Sequence, residues 1–214
     1  MMEQRLLRSQ MNPHFIFNSL SSIQSFIFES NPIEAGSYLS RFAELIRSIL
    51  YNSREEFIPL EKEIKTLQYY FDLQQLRYTN KFDYEIDIDP LLEVESISIP
   101  PMLAQPFIEN AIEHGIKHLD EKGLISVSFT LMKAETLLMM VEDNGIGIKA
   151  ARSLKNEKGE EHKSLATIIT KERIEILNKG KRKKLYSMQI NDTFDSNGMV
   201  DGTRVKFIIP FVQT

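Results

Sequence analysis

Apolar residues recur along this chain with two different periods. Over residues 3–29 the spacing predicts a helix with Ile16, Leu20, Ile23 and Ile27 on one stripe. The run Glu29-Ser30-Asn31-Pro32 breaks that pattern. A second helix is predicted over about 33–52, with Tyr38, Phe42, Leu45 and Ile49 on one face. Two amphipathic helices joined by a short polar turn read as a helical hairpin. Its apolar stripes need cover, most simply from a second copy that completes a four-helix bundle. Pro59 opens a third predicted helix to about residue 78, carrying Leu60, Ile64, Leu67 and Phe71.

From residue 82 the period falls to two. Phe82, Tyr84, Ile86 and Ile88 alternate with Asp83, Glu85, Asp87 and Asp89, as in a half-buried strand with an acidic outer face. Pro100 and Pro101 precede a predicted helix over 102–117. "LISVSFTLM" and "TLLMMVEDN" read as strands, residues 149–163 as a polar, mobile loop, and residues 164–179 as a helix. "KKLYSMQINDTF" and "GTRVKFIIPF" read as strands joined by a turn at Asn197-Gly198. The expected fold is α+β: a helical hairpin over 1–57, then a mixed sheet with helices on one face over 58–214.

Composition narrows the class. Hydrophobic residues make up 42% of the 214 and charged residues 26%, which suits a globular chain. The net charge of -4 implies no domain-wide basic surface, and the basic run "KGKRKK" at 179–184 reads as a solvated turn. Cysteine is absent, which excludes a disulfide scaffold and a thiol nucleophile and fits a reducing compartment. No apolar run approaches the roughly 20 residues that span a bilayer. Met1 to Gln10 is too polar for a signal peptide. The chain begins almost at its first motif, as a piece of a longer protein would.

Three stretches carry candidate chemistry. In "VEDNGIGI", 141–148, a strand runs into Asp143 and then Gly145 and Gly147. Bare glycines admit a flat ligand to the backbone, and a carboxylate at a strand end can accept from an exocyclic amine such as that of adenine. The same residues also suit a plain turn. In "QPFIENAIEHGIKH", 105–118, Asn110 and His114 are helical neighbours with Lys117 close by, and Glu109 and Glu113 form an adjacent stripe. Asn110 offers a hard oxygen suited to magnesium, and Lys117 a point charge for phosphate. The bland alternative is a mixed polar face. In "DGTRVKFIIP", 201–210, Gly202-Thr203 opens a terminal strand and alone says little.

In this order the three stretches resemble the N, G1 and G3 boxes of the GHKL, or Bergerat, ATP-binding fold. With "LRSQMNPHFIFNSLSSI" and "PPMLAQPFIENAIEHGI", essentially the whole chain resembles sensor histidine kinases of the autolysis-regulator type. The resemblance implies that His14 is the phosphoacceptor and that Asn110 holds Mg²⁺. It implies that Asp143, Gly145 and Gly147 hold the adenine of ATP, and that Thr203 belongs to the last box. It makes 1–57 a dimerisation and phosphotransfer hairpin and 58–214 the catalytic domain. It further implies a homodimer, a response-regulator receiver domain as partner, and a membrane-bound parent with this region on the cytoplasmic side of the inner membrane. Residues 149–163 fall where the family has its ATP lid. The family commonly has Gly-x-Gly at the lid's far end, where this chain has Ser164 and Ala166.

The expected reaction is attack of the neutral His14 imidazole on the γ-phosphorus of ATP. Many histidine kinases have an acid directly after the histidine, whereas this chain has Phe15. Asn18 at i+4, Glu109 and Glu113 are the candidates for orienting the ring. Asn12-Pro13 either starts the helix or, with Leu7 and Met11 continuing it upstream, bends it beside His14. Two rival functions stay open. A GHKL ATPase would need an acid one turn before Asn110, where Pro106 stands. A scaffold with weak ATP binding is suggested by Ser164, Ala166 and Phe15.

Overall fold

Helix α1 (Pro13–Phe28) packs against helix α2 (Pro32–Asn52), giving the expected hairpin. The computed structural model describes residues 13–28, 32–79, 81–133, 135–157, 165–179 and 185–213. The expected bend upstream of His14 lies outside the described residues. Within α2, Tyr38, Leu45 and Ile49 are buried, but not for a second copy. They join one core with Leu60, Ile64 and Leu67 of helix α3 (Leu60–Arg77). The expectation that both hairpin stripes await a partner is therefore corrected for α2: α3 offers a complementary apolar face within the same chain. Polar groups pin the seam. Asn52 donates to Thr66 at 3.1 Å, and Arg41 pairs with Asp72 at 3.0 Å. Helix α1 instead leaves Phe17, Ile27 and Phe28 exposed.

The alternating segments form the sheet they predict. Strands β2 (Phe82–Ile88), β4 (Gly123–Lys133), β5 (Thr136–Asp143), β6 (Ser187–Phe194) and β7 (Val200–Pro210) make one five-stranded sheet in the order β2-β4-β5-β7-β6. Strand β2 lies at an edge and runs parallel to β4, while the other pairs are antiparallel. The register sets Val127 opposite Val141 and Val141 opposite Val205, with Phe129, Met139 and Phe207 in the next row. All six are buried, so one face of the sheet is the core face. Each such side chain contributes about 1.5–3 kcal/mol when fully buried. A second small sheet, not anticipated from the sequence, joins β1 (Ile58–Pro59), β3 (Ile97–Ile99) and β8 (Val212–Gln213) in the order β1-β3-β8.

Two helical expectations change. The regular helix expected over 102–117 is a short α-helix, α4 (Gln105–Asn110), then a π-turn (Ala111–Gly115) and a 3₁₀ turn (Ile116–His118). It cannot start at 102, because Met102 has φ 56°, in the left-handed region. Residues 147–157, expected largely as loop, form helix α5 (Gly147–Glu157). Its run of alanine, lysine, arginine and leucine favours helix, and Asp192 accepts from the Ile148 amide at 2.6 Å, satisfying one of the free N–H groups of its first turn. Helix α6 (Leu165–Asn178) follows. Among the described residues no helix is long and apolar enough to cross a membrane.

Candidate functional site

Asp143 ends β5 on the core face of the sheet and is buried. The Gly145 amide donates to its Oδ1 at 2.9 Å, and the Thr203 amide of the neighbouring strand also hydrogen-bonds to the carboxylate. Burial pushes the carboxyl up to about 6 against the pull of these two amides, with Glu142 and Asp192 adding to the rise. At neutral pH the group is mainly ionised. It forms no ion pair among the described residues. It is thus a buried, charged acceptor suited to an uncharged N–H donor.

Glycines bring the other elements onto it. The π-turn ends at Gly115, where an added Cβ would stand 3.0 Å from Asp143 Oδ1. A Cβ on Gly145 would reach 2.6 Å from the Gly115 Cα. The Asn110 segment and the Asp143 strand end therefore meet backbone to backbone. The widened turn carries Gly115 to that meeting point, and π-turns are frequent at functional sites. Gly147, at φ 77°, lies against Val200 and Asp192. Gly202, at φ 153°, has no room at all, since its Cβ would sit 1.8 Å from the Asp143 carbonyl oxygen. Asn144 ties the same turn to β4, its Oδ1 accepting from the Leu124 amide at 2.6 Å. Above the sheet, Phe107 of α4 meets Phe207 edge-on at 5.4 Å.

The structure thus gathers Asp143, Gly145, Gly147 and Thr203 into one cradle, gives Gly202 a part in it, and adds Gly115 and Asp192, which the motif reading did not single out. Gly115 had a visible signal, an isolated glycine within a helical run. Asp192 had none, lying 44 residues from the amide it caps. Asn110 and His114 are half-buried on the segment that ends at Gly115. Lys117 lies 3.6 Å from Glu113, which also pairs with Arg77 at 3.0 Å and accepts from the Tyr78 hydroxyl at 2.7 Å. Burial pushes Glu113 up, yet Tyr78, Arg77 and Lys117 together hold it below the usual glutamate range. Glu113 is committed to that cluster. Glu109 is half-buried, with Gln105 donating to it at 3.4 Å. His14 stands in the first turn of α1, with Asn18 one helical turn on. That places it in the hairpin rather than the cradle, and its side chain lies outside the described residues, as does Ser164. Ala166 lies in α6.

Residues 2–82 match the model of the histidine kinase family. The chain is 34% identical over 148 residues to the sensor protein LytS of Staphylococcus epidermidis, a match covering 69% of this chain and 24% of that protein. The chain belongs to the histidine kinase family. As a histidine kinase chain it is also 32% identical over 146 residues to the sensor histidine kinase/phosphatase LytS of Staphylococcus aureus, covering 68% of this chain and 24% of that one. It spans about a quarter of the length of these curated relatives. Its fold matches the histidine kinase domain of the Erythrobacter litoralis EL346 blue-light activated histidine kinase. The TM-score is 0.51 at 15% identity, covering 97% of this chain and 95% of that one. The α+β fold with its five-stranded mixed sheet is thus that of the histidine kinases.

Proposed function

We infer that this chain is the phosphotransfer and ATP-binding region of a sensor histidine kinase, and that it phosphorylates His14 from Mg-ATP. The observation that carries this reading is the cradle: a buried, ionised Asp143 joined backbone to backbone, through Gly145 and Gly115, to the segment bearing Asn110. The carboxylate accepts from the exocyclic amine of adenine. The backbone at Gly145 and Gly147 lines the base. Asn110 would hold Mg²⁺, which offsets the charge of the phosphates. Lys117 is close enough along the chain to meet a phosphate once released from Glu113.

In its neutral form an imidazole carries a free lone pair on one ring nitrogen. That lone pair of His14 attacks the γ-phosphorus, an N–P bond forms, the bond to the β–γ bridging oxygen breaks, and ADP leaves. The proton on the other ring nitrogen stays in place, and an acceptor there steadies the developing imidazolium. Asn18, four residues on along α1, and Glu109 are the remaining candidates, because Glu113 is already engaged. The phosphoryl group then passes to an aspartate of a response-regulator receiver domain. Pairing of two copies through α1 is supported by Phe17, Leu20 and Ile27, all exposed on that helix. The 1–57 and 58–214 division puts His14 and the cradle on separate parts, so transfer requires His14 to approach the cradle and withdraw again.

Incubation with γ-labelled ATP and Mg²⁺ tests the reading. Acid-labile, base-stable label on the protein, lost in His14→Ala, is the expected result. Free phosphate without labelled protein would identify an ATPase instead. Neither product, with weak nucleotide binding, would leave a scaffold.

A further inference from the structure

Between β3 and α4 the chain makes a turn through Pro101, Met102, Leu103 and Ala104, all buried. Met102 adopts φ 56°, a conformation that L side chains rarely take and that holds only when the surroundings enforce it. Two titratable side chains hold it, one from α3 and one from α6. Glu63, in the first turn of α3 and 1% exposed, accepts from the Met102 amide with both carboxylate oxygens, at 3.0 and 2.9 Å. The Leu103 amide also hydrogen-bonds to it. Arg173 of α6 donates to the Pro101 carbonyl at 2.5 Å and is close enough to Glu63 for each to feel the other's charge.

Neither residue has a part in the phosphotransfer described above, and a buried carboxylate is an unfavourable way to bind two amides. Burial lifts Glu63 to about 7 despite Met102, Arg173 and Leu103. What the pair holds, however, leads straight to the site. The turn delivers Gln105, the start of α4. Helix α4 ends at Asn110, and five residues later Gly115 meets Gly145 and Asp143. Helix α6, which brings Arg173, begins just beyond the expected lid.

We propose that Glu63 and Arg173 are positioning residues of the nucleotide site, an inference that rests on the reading of the cradle given above. They clamp the 101–104 turn from α3 and from α6 and so fix where Asn110 stands relative to Asp143. They also tie the helix after the lid to the helix after the hairpin. A change at either helix reaches Asn110 through this one turn.

Amide hydrogen exchange on the nucleotide-free chain, paired with Mg-ATP affinity, tests this. In Glu63→Gln, exchange over residues 105–116 is expected to accelerate about tenfold while the central strands β4, β5 and β7 keep their protection. Mg-ATP affinity falls about tenfold or more, as a displaced contact requires. Arg173→Gln gives the same local pattern, and the double variant adds little to either single one, since both act on one turn. Unchanged exchange over 105–116 overturns the proposal, as does loss of protection spread evenly over the sheet, the mark of a purely structural role. Should Glu63→Gln not fold, Arg173→Gln decides by the same criteria. If the unaltered chain fails to bind Mg-ATP, the nucleotide reading falls, and the exchange pattern still decides whether the clamp positions α4.

Discussion

The cradle around Asp143 and the outer side of helix α1 are built on opposite terms. In the cradle, backbone meets backbone at Gly115, Gly145 and Gly202, and a buried carboxylate is met by two amides of its own chain. On α1, Phe17 is 69% exposed, Ile27 60% and Phe28 77%. The cradle is complete within one copy and tolerates no added atom. The outer side of α1 leaves large apolar side chains uncovered. In the function proposed above, binding and partnering sit on separate parts of the molecule, and each can be altered without the other.

The harshest way to break that contrast is to put an atom into the cradle. Gly202→Ala places a Cβ onto the Asp143 carbonyl oxygen and imposes φ 153° on an L residue. A loss of about 3 kcal/mol or more is expected from such overpacking, and a fall in melting temperature of about 10 °C for a chain of this size. Nucleotide binding is lost with it. A thermal melt and a binding titration read both.

Next comes Asp143→Asn, which leaves the packing intact and removes the charge. Nucleotide affinity should fall about tenfold to a hundredfold, the range for a charge-assisted hydrogen bond, with little change in melting temperature at pH 7. The unaltered chain carries a pH signature. Because the carboxyl titrates near 6, affinity weakens as pH drops through that value, whereas the Asn variant stays flat. Stability runs the other way. The fold raises this carboxyl above its ordinary value, so the folded state binds a proton more readily than the unfolded chain. The unaltered chain therefore gains stability relative to the Asn variant as pH falls from about 6 towards 4. Titrations and melts between pH 4 and 8 would show both trends, and parallel curves for the two proteins would refute them.

Ile27→Glu tests the other side of the contrast. Sedimentation should report a shift from dimer to monomer, while nucleotide affinity stays within about twofold, because the cradle is complete in one copy. The smallest effect belongs to the sheet face opposite the core, where Arg204 pairs with Glu142 through two bonds of 2.6 and 2.8 Å. Both side chains are partly exposed, so Arg204→Gln should cost no more than about 1 kcal/mol and less in high salt.

Much of this was legible from the sequence because strict alternation and helical spacing are local signals. The five long strands and the helix after Pro59 emerged that way, whereas Asp143, Gly145, Gly147 and Thr203 stood out only through short motifs and the family resemblance they carry. What stayed hidden is non-local. Strands β1, β3 and β8 are two or three residues long and come from three distant parts of the chain, too short for a period to register. The π-turn keeps the same apolar residues as an α-helix and differs only in the carbonyl each amide chooses. Gly202 looks like an ordinary strand entry until Asp143, 59 positions earlier, is folded against it. Helix α5 is a different kind of miss: its helix-forming residues were present, but its polarity suggested a loop. Glu63 carries no local signal either, because its partners Met102 and Arg173 lie far along the chain.

The edge strand β2 carries one more consequence. Its outer side has no neighbour within the five-stranded sheet, so its free backbone groups could template another strand. A second copy adding β2 to β2 would align Asp83, Glu85 and Asp87 against the same three acids, of which Asp83 is paired with Lys122 at 2.7 Å while the strand itself carries no basic residue. Like charges set opposite one another destabilise such a pairing. The acidic row therefore acts as a guard against edge-to-edge aggregation at β2.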